Sequence, residues 1–427
     1  MSVLGRRMRK LSQILGAVTS IEYLERRFPS AWTRLIAAPL ALFCLFLYVL
    51  AQFVAGGKGL ALVTGVSYPL ALGIAICVIV LYTFLGGYLA VAYTDFFQAI
   101  IMLIGVLWVL IAALTALGGL GAANARIGEI DSSLLTMWGK DLGNYGQWGL
   151  IIGALLVFSI GYLGWPHVVV RHMAMKRPSV ARKAGGYSMM FNLLFVPAPY
   201  LVGILALLII PAGTDPETAI FTTAQMLLPS AVVGIIMAGI MAAIMSTADS
   251  ILLQSGTIAS RDIYHRFFNS KMTEKQMVWV SRAMVLLLAI VGYILSVAQP
   301  PAVFGLVVFA TTILGSAFVP SYVAAVWWKK ANTVGAVSSM VVGTAIPVIW
   351  EVNDLTAATG LPAMLVGIVA SVATMIVASL LTQKVNPVPA HIQQAMGETE
   401  RLGPIPRALL QDQEIRMAAE ADSYKSS

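Results

Sequence analysis

Charge is what this sequence has least of. Asp, Glu, Lys and Arg make up 11% of its 427 residues, where a soluble domain carries about 25%; 59% of the residues are hydrophobic. Cysteine is almost missing too. Cys44 and Cys77 both lie in apolar stretches, so no disulfide framework is implied. His167 and His172, with no Cys or Glu beside them, make a poor metal site and read as interfacial. No phosphate-binding loop, nucleophile elbow or glycine-rich dinucleotide turn occurs, and the chain has no room for a nucleotide-driven pump domain. A soluble enzyme is excluded by the same composition.

What is present is a series of apolar runs between Leu35 and Leu381, each near the ~20 residues that cross a bilayer. They predict an all-α polytopic membrane protein of about ten transmembrane helices, at 34–62, 68–88, 95–117, 147–167, 184–210, 230–262, 278–298, 302–328, 333–351 and 361–382. The opening residues are basic and lack an apolar core, so no cleavable signal peptide is expected. With both ends in the cytoplasm, all but three of the 27 Lys and Arg residues fall inside, the exceptions being Lys58, Arg126 and Lys140. The loop 168–183 has five bases and no acid, while 211–229 outside has Asp215 and Glu217 and no base. This is the bias that orients helices in an inner membrane. The net charge of +8 is therefore topological, and no nucleic-acid partner is expected. Residues 1–33 form a cytoplasmic lead with a short amphipathic helix near 21–28, 34–382 the transmembrane domain, and 383–427 a frayed cytoplasmic tail with some helix. Trp279, Trp327, Trp328 and Trp350 fall at span ends as interfacial anchors.

Breaks punctuate the spans. Gly86-Gly87 separates the second from the third, Gly164-Trp165-Pro166 closes the fourth, and Pro197, Pro199, Pro320 and Pro347 interrupt the fifth, eighth and ninth. Broken backbone survives in lipid only where protein or a wet cavity satisfies it.

Of the 19 acids, all but two fall in loops, lead or tail. Asp249 is inside the sixth span and Asp95 is at the cytoplasmic mouth of the third; an intramembrane carboxylate is a functional hypothesis by default. In the run from Ala242 to Ser250, helical spacing sets Ala243, Ser246, Thr247 and Ser250 on one face, with Asp249 at its edge. Carbonyls, hydroxyls and a carboxylate within two turns are ligands of the kind a hard cation takes. Two other uses stay open: hydroxyls bonded back to the preceding turn, and a proton relay through the carboxylate.

Three stretches, YTFLGGYLAVAYTDFFQAIIMLIG (82–105), GYLGWPHVVVRHMA (161–174) and AAIMSTADSILLQSGTIASRDIY (242–264), resemble the sodium:solute symporter family, whose members include proline and pantothenate carriers. The likeness implies the leucine-transporter fold of two inverted five-helix repeats around a mid-membrane site. It carries family sodium ligands onto Ala243, Ser246 and Thr247, and an aspartate of sodium coupling onto Asp95. A second sodium site would use Asp249 and Ser250, with Asp249 replacing a family hydroxyl. On the substrate side it implies Tyr48, with Gln52 one turn on, Phe158 where proline carriers have tryptophan, and Tyr162 beside it.

The opening of the chain resembles a loop that family members reach after three helices, so the fold is expected to be N-terminally incomplete. The function implied is symport of a small organic solute (a proline-like amino acid, pantothenate or a short carboxylate), with Na+ as coupling ion, no other cofactor, and an undetermined oligomeric state. The alternatives are a non-transporting remnant or sensory domain of the family, and a membrane enzyme using Asp95 and Asp249.

Overall fold

The computed structural model describes residues 4–136, 146–298, 303–401, 405–406 and 409–411; Lys140 and most of the tail after 401 lie outside them. Among the described residues all regular structure is helical. In chain order the helices are α1 (Gly5–Leu15), α2 (Ser20–Arg27), α3 (Ala31–Thr64), α4 (Tyr68–Ala116), α5 (Leu120–Ile130), α6 (Gly146–Leu155), α7 (Pro166–Met173), α8 (Pro178–Phe195) and α9 (Pro197–Ala206). They continue as α10 (Ala219–Leu227), α11 (Ser230–Thr257), α12 (Glu274–Val297), α13 (Val303–Trp327), α14 (Thr333–Val352), α15 (Leu355–Thr359), α16 (Ala363–Leu381) and α17 (Ala390–Glu400).

Among the described residues eight helices are long and apolar enough to cross a membrane, and counting the pair Ile151–Gly164 and Pro166–Met173, bent by 50°, as one span makes nine. The 49-residue α4 would be about 74 Å long at 1.5 Å per residue, more than twice the hydrocarbon thickness. It carries one non-helical residue, Gly87, at φ 60° and ψ −162°, which divides it into two spans and completes the ten expected. No loop separates 88 from 95: the break is at Gly87 alone, so Asp95 lies inside the helix that follows it.

Two of the expected proline interruptions are overturned. Pro320 and Pro347 sit inside continuous helices, as does Pro39 in α3, whereas the fifth span is interrupted at Pro197, α8 ending at Phe195 and α9 starting after Val196, which itself keeps helical angles. A proline removes one N–H and frees one carbonyl, a local loss that a surrounding bundle absorbs. Around Pro347 that bundle is tight: a Cβ on Gly367 would lie 2.5 Å from its ring.

Helix α13 is the hub. In its most apolar stretch 72% of residues are buried, against 22–44% in the other spans. Its neighbours approach through glycine: a Cβ on Gly343 of α14 would lie 2.3 Å from the Ser316 carbonyl oxygen, and one on Gly164 2.4 Å from that of Leu314. Small residues at such contacts let backbones close where lipid gives no hydrophobic drive.

The lead is the largest departure from expectation. Leu4, Met8, Leu11 and Ile14 form a stripe at helical spacing, and they join Ile21, Tyr23, Leu24 and Phe28 in the main core at 1% exposure or less. Gly16 ends α1 in the left-handed conformation (φ 70°), its N–H returning to the preceding turn. Thr19 then caps α2, accepting from the Glu22 N–H at 2.9 Å. Buried Arg27 donates to the carbonyls of Ala325, Trp328 and Ala331 at 3.0–3.1 Å, closing the end of α13. Glu25 pairs with Arg34 and Arg266, and Glu22 with Arg26 and Arg261.

In the tail, α17 packs Ile392, Ala395 and Met396 inward. Arg6 and Lys10 of α1 bond the Arg401 carbonyl that follows it. Lead and tail therefore share one face. On the opposite face Lys58 pairs with Asp215 and Glu217, all three assigned to one side by the charge alternation.

Two expectations follow. Gly343→Ala should destabilise the detergent-solubilised protein by at least ~1–3 kcal/mol in unfolding midpoint, while Gly234→Ala, with nothing within 4 Å, should not; equal effects would sink the hub assignment. Burial by itself raises the Glu22 carboxyl, but Arg26, Arg261 and Arg34 outweigh it, so its pKa lies below the ordinary 4.5. A depressed pKa gives stability that is present above the unfolded value and lost as pH falls through the folded one. Thermal stability should therefore drop below about pH 4.5, and Glu22→Gln should flatten that part of the profile.

Candidate functional site

Two glycines set the geometry of the site. Gly239 of α11 faces Gly105 of α4, where a Cβ on Gly239 would lie 3.0 Å from the Ile101 carbonyl oxygen. This is the most extensive helix pair in the protein. Stepping from Gly105 back to Asp95, and from Gly239 on to Ser250, covers nearly equal numbers of residues, so the helices run antiparallel in register. Asp95 and Ser250 consequently meet, the hydroxyl donating to Oδ2 at 3.2 Å. Gly87 serves the same pair. Its positive φ with extended ψ is a backbone that only glycine adopts without strain, and it lets Tyr82, before the break, bond the Met245 carbonyl at 3.3 Å while Asp95, after it, reaches Ser250.

Of the six residues predicted for sodium, the structure gathers Ala243, Ser246 and Thr247 in one place and Asp95 and Ser250 in another, with Asp249 beside Ser250. Ser246 and Thr247 both donate to the Ala243 carbonyl, at 3.0 and 3.2 Å, and all three are partly exposed. One turn on, Asp249 is fully buried; one carboxylate oxygen accepts the Ser250 N–H and the other has no partner among the described residues.

Sequence reasoning missed Arg171. Read as a loop charge, it belongs to α7, and its guanidinium donates at 2.6 Å to both Asp95 Oδ2 and Ser250 Oγ. A protein cation thus lies against the oxygens assigned to sodium. No linear signal marks it, because the contact joins three helices far apart in sequence.

Of the four predicted substrate residues, Tyr48 and Tyr162 come together around Trp165, with ring centroids 4.8 and 6.3 Å from it. Trp165 is wholly buried and was passed over as part of a helix end. It sits in extended conformation between Gly164 and α7, after a π-helical turn 156–160. The fourth span is thus broken in mid-course and resumes, rather than closing there. Phe158, on the π turn, is 39% exposed, and Gln52 is half-buried on α3. His172 is 1% exposed and bonds the Val168 carbonyl, and half-buried His167 lies against Trp165. Asp262, counted among the acids of loops, lead and tail, is fully buried and accepts from Thr19 at 2.8 Å.

A broken span, paired hydroxyls and carboxylates inside a helical bundle are the features expected of a secondary transporter. The fold agrees: a Na+-coupled sialic acid symporter superposes with a TM-score of 0.68 over 89% of this chain and 84% of its own, at 18% identity. Inward-facing Mhp1 superposes with 0.53 over 95% and 93%, at 15% identity; both have the leucine-transporter fold. Residues 1–343 match the profile of the sodium:solute symporter family, and the chain belongs to that family. The osmoregulated proline transporter OpuE of Bacillus subtilis (strain 168) is 30% identical over 374 residues, 86% of this chain and 75% of the relative. The Staphylococcus aureus sodium/proline symporter is 30% identical over 402 residues, 90% and 76% of the two chains. The protein is a multi-pass cell-membrane symporter that couples solute movement to sodium.

Gly87→Ala should cost about 1–2 kcal/mol in unfolding midpoint, although a Cβ there meets nothing within 4 Å. An unchanged midpoint would show that the break does not depend on glycine's backbone freedom.

Proposed function

We propose that this chain takes up a small amino-acid-like solute, proline being the first candidate, together with sodium, with both chain ends in the cytoplasm. The curated relatives at 30% identity are named for proline transport, which supports that solute class. The charge alternation supports the orientation. On this reading residues 34–382 are the carrier, embedded in the bilayer, and the lead and tail brace its cytoplasmic face.

The observation that carries the sodium assignment is the Ala243 carbonyl with the Ser246 and Thr247 hydroxyls at 3.0 and 3.2 Å. Three oxygens on one turn, partly exposed, suit a hard cation: each hydroxyl need only rotate to offer a lone pair in place of its present bond. Asp95, Asp249 and Ser250 form a second cation locus, for which Arg171 competes. Tyr48, Gln52, Phe158 and Tyr162 make the mixed aromatic and polar wall against the solute, with Trp165 behind it. Alternating access then comes from one set of helices rocking against the other.

Sodium-driven proline uptake into proteoliposomes tests this. Ser246→Ala and Thr247→Ala should each raise the half-activating sodium concentration about tenfold, equivalent to ~1.4 kcal/mol. Unchanged sodium activation in both variants would remove these residues from the ion site.

A further inference from the structure

A cavity of about 470 Å³ extends from Asp95, Arg171 and Ser250 to Thr19 of the lead, within the range of small-molecule sites. Three residues of its wall carry a buried polar atom with no hydrogen-bond partner among the described residues: Asp95 Oδ1, His167 Nδ1 and Gln254 Nε2. Gln254 is only 5% exposed. Each such group costs ~1–3 kcal/mol unless something bonds it, and here all three belong to one wall.

The charges of that wall are divided by type. Arg171 and the Gln254 amide are donors, suited to a carboxylate; Asp95, with the Ser250 hydroxyl, suits an ammonium group. At present Arg171 and Asp95 neutralise one another at 2.6 Å. A lone cation would free Arg171 without a counter-ion, and a lone anion would do the same to Asp95. A molecule carrying both charges opens the pair and leaves neither charge alone, which avoids the penalty of an uncompensated partly buried ion. Val91, Val170 and Leu253 supply apolar wall for its hydrocarbon part.

We infer that this cavity is a second solute site, separate from the Tyr48–Trp165–Tyr162 wall, that takes a small zwitterion with its carboxylate on Arg171 and Gln254 and its ammonium on Asp95 and Ser250. The inference rests on the amino-acid reading above and deepens it: solute leaving the central wall is held once more, by exchange with an internal ion pair. Sodium at the Asp95–Ser250 position and the ammonium group exclude one another there.

The test uses the full chain in liposomes with Cys77→Ser and one reporter, Ala174→Cys, on the cavity wall; Cys44 is buried and stays. L-Proline should slow maleimide labelling of the reporter severalfold, and prolinamide, which lacks the carboxylate, should not. Gln254→Leu and, separately, Arg171→Gln should each abolish the protection, read in every variant as the ratio of labelling rates with and without proline, and a monodisperse elution profile checks that the variants fold. Absence of protection, equal protection by prolinamide, or protection that persists in both variants overturns the site. Sodium-driven uptake in the same liposomes is read independently. Uptake without protection removes the second site alone, whereas protection without uptake supports it and removes proline as the transported solute.

Discussion

The close antiparallel packing of α4 on α11 is the contact on which the site depends. Gly105 and Gly239 let the two backbones approach until a Cβ would meet a carbonyl oxygen, and in lipid such packing, not hydrophobic drive, holds helices together. With the register fixed there, Asp95 falls opposite Ser250 and within reach of Arg171. The Gly87 break keeps α4 pressed to the same partner on both sides of the bend. Charged and hydroxyl groups that would each be costly in hydrocarbon are thereby gathered where they satisfy one another.

The same economy governs the face where the chain ends meet. Arg27 caps α13, the most buried span, through three carbonyls, so the hub helix is finished by a side chain from the lead. Glu22, Glu25 and Asp262 gather arginines from α2, α3 and the end of α11. The lead is thus part of the core on which the carrier stands, and Thr19, which bonds Asp262, also lines the cavity that ends at Asp95. Helix α1 in turn packs against α7 and α8, so the bracing face and the Arg171 helix are mechanically continuous.

Much of this was legible in order along the chain. Span positions follow from apolar length, because a bilayer imposes nearly the same requirement on every crossing. Gly86-Gly87 and Gly164-Trp165-Pro166 marked real breaks, since their residue types change what the backbone can adopt. Pro320 and Pro347 misled, because a proline's single lost hydrogen bond is tolerated inside a packed bundle. The lead misled for another reason: its stripe of Leu4, Met8, Leu11 and Ile14 is interleaved with arginine and lysine, whose heads reach solvent or carbonyls while the apolar side packs inward.

The sequence by itself determined the class of molecule, the number of crossings, the two unusual carboxylates and the hydroxyl run of α11, because each is a property of one segment and the solvent it must meet. Only the tertiary structure decided that Arg171 lies between Asp95 and Ser250, that Trp165 joins Tyr48 to Tyr162, and that the lead closes the hub helix. Those are distances between segments up to about three hundred residues apart. They are set by how closely glycine-lined helices pack, which no single stretch of chain encodes.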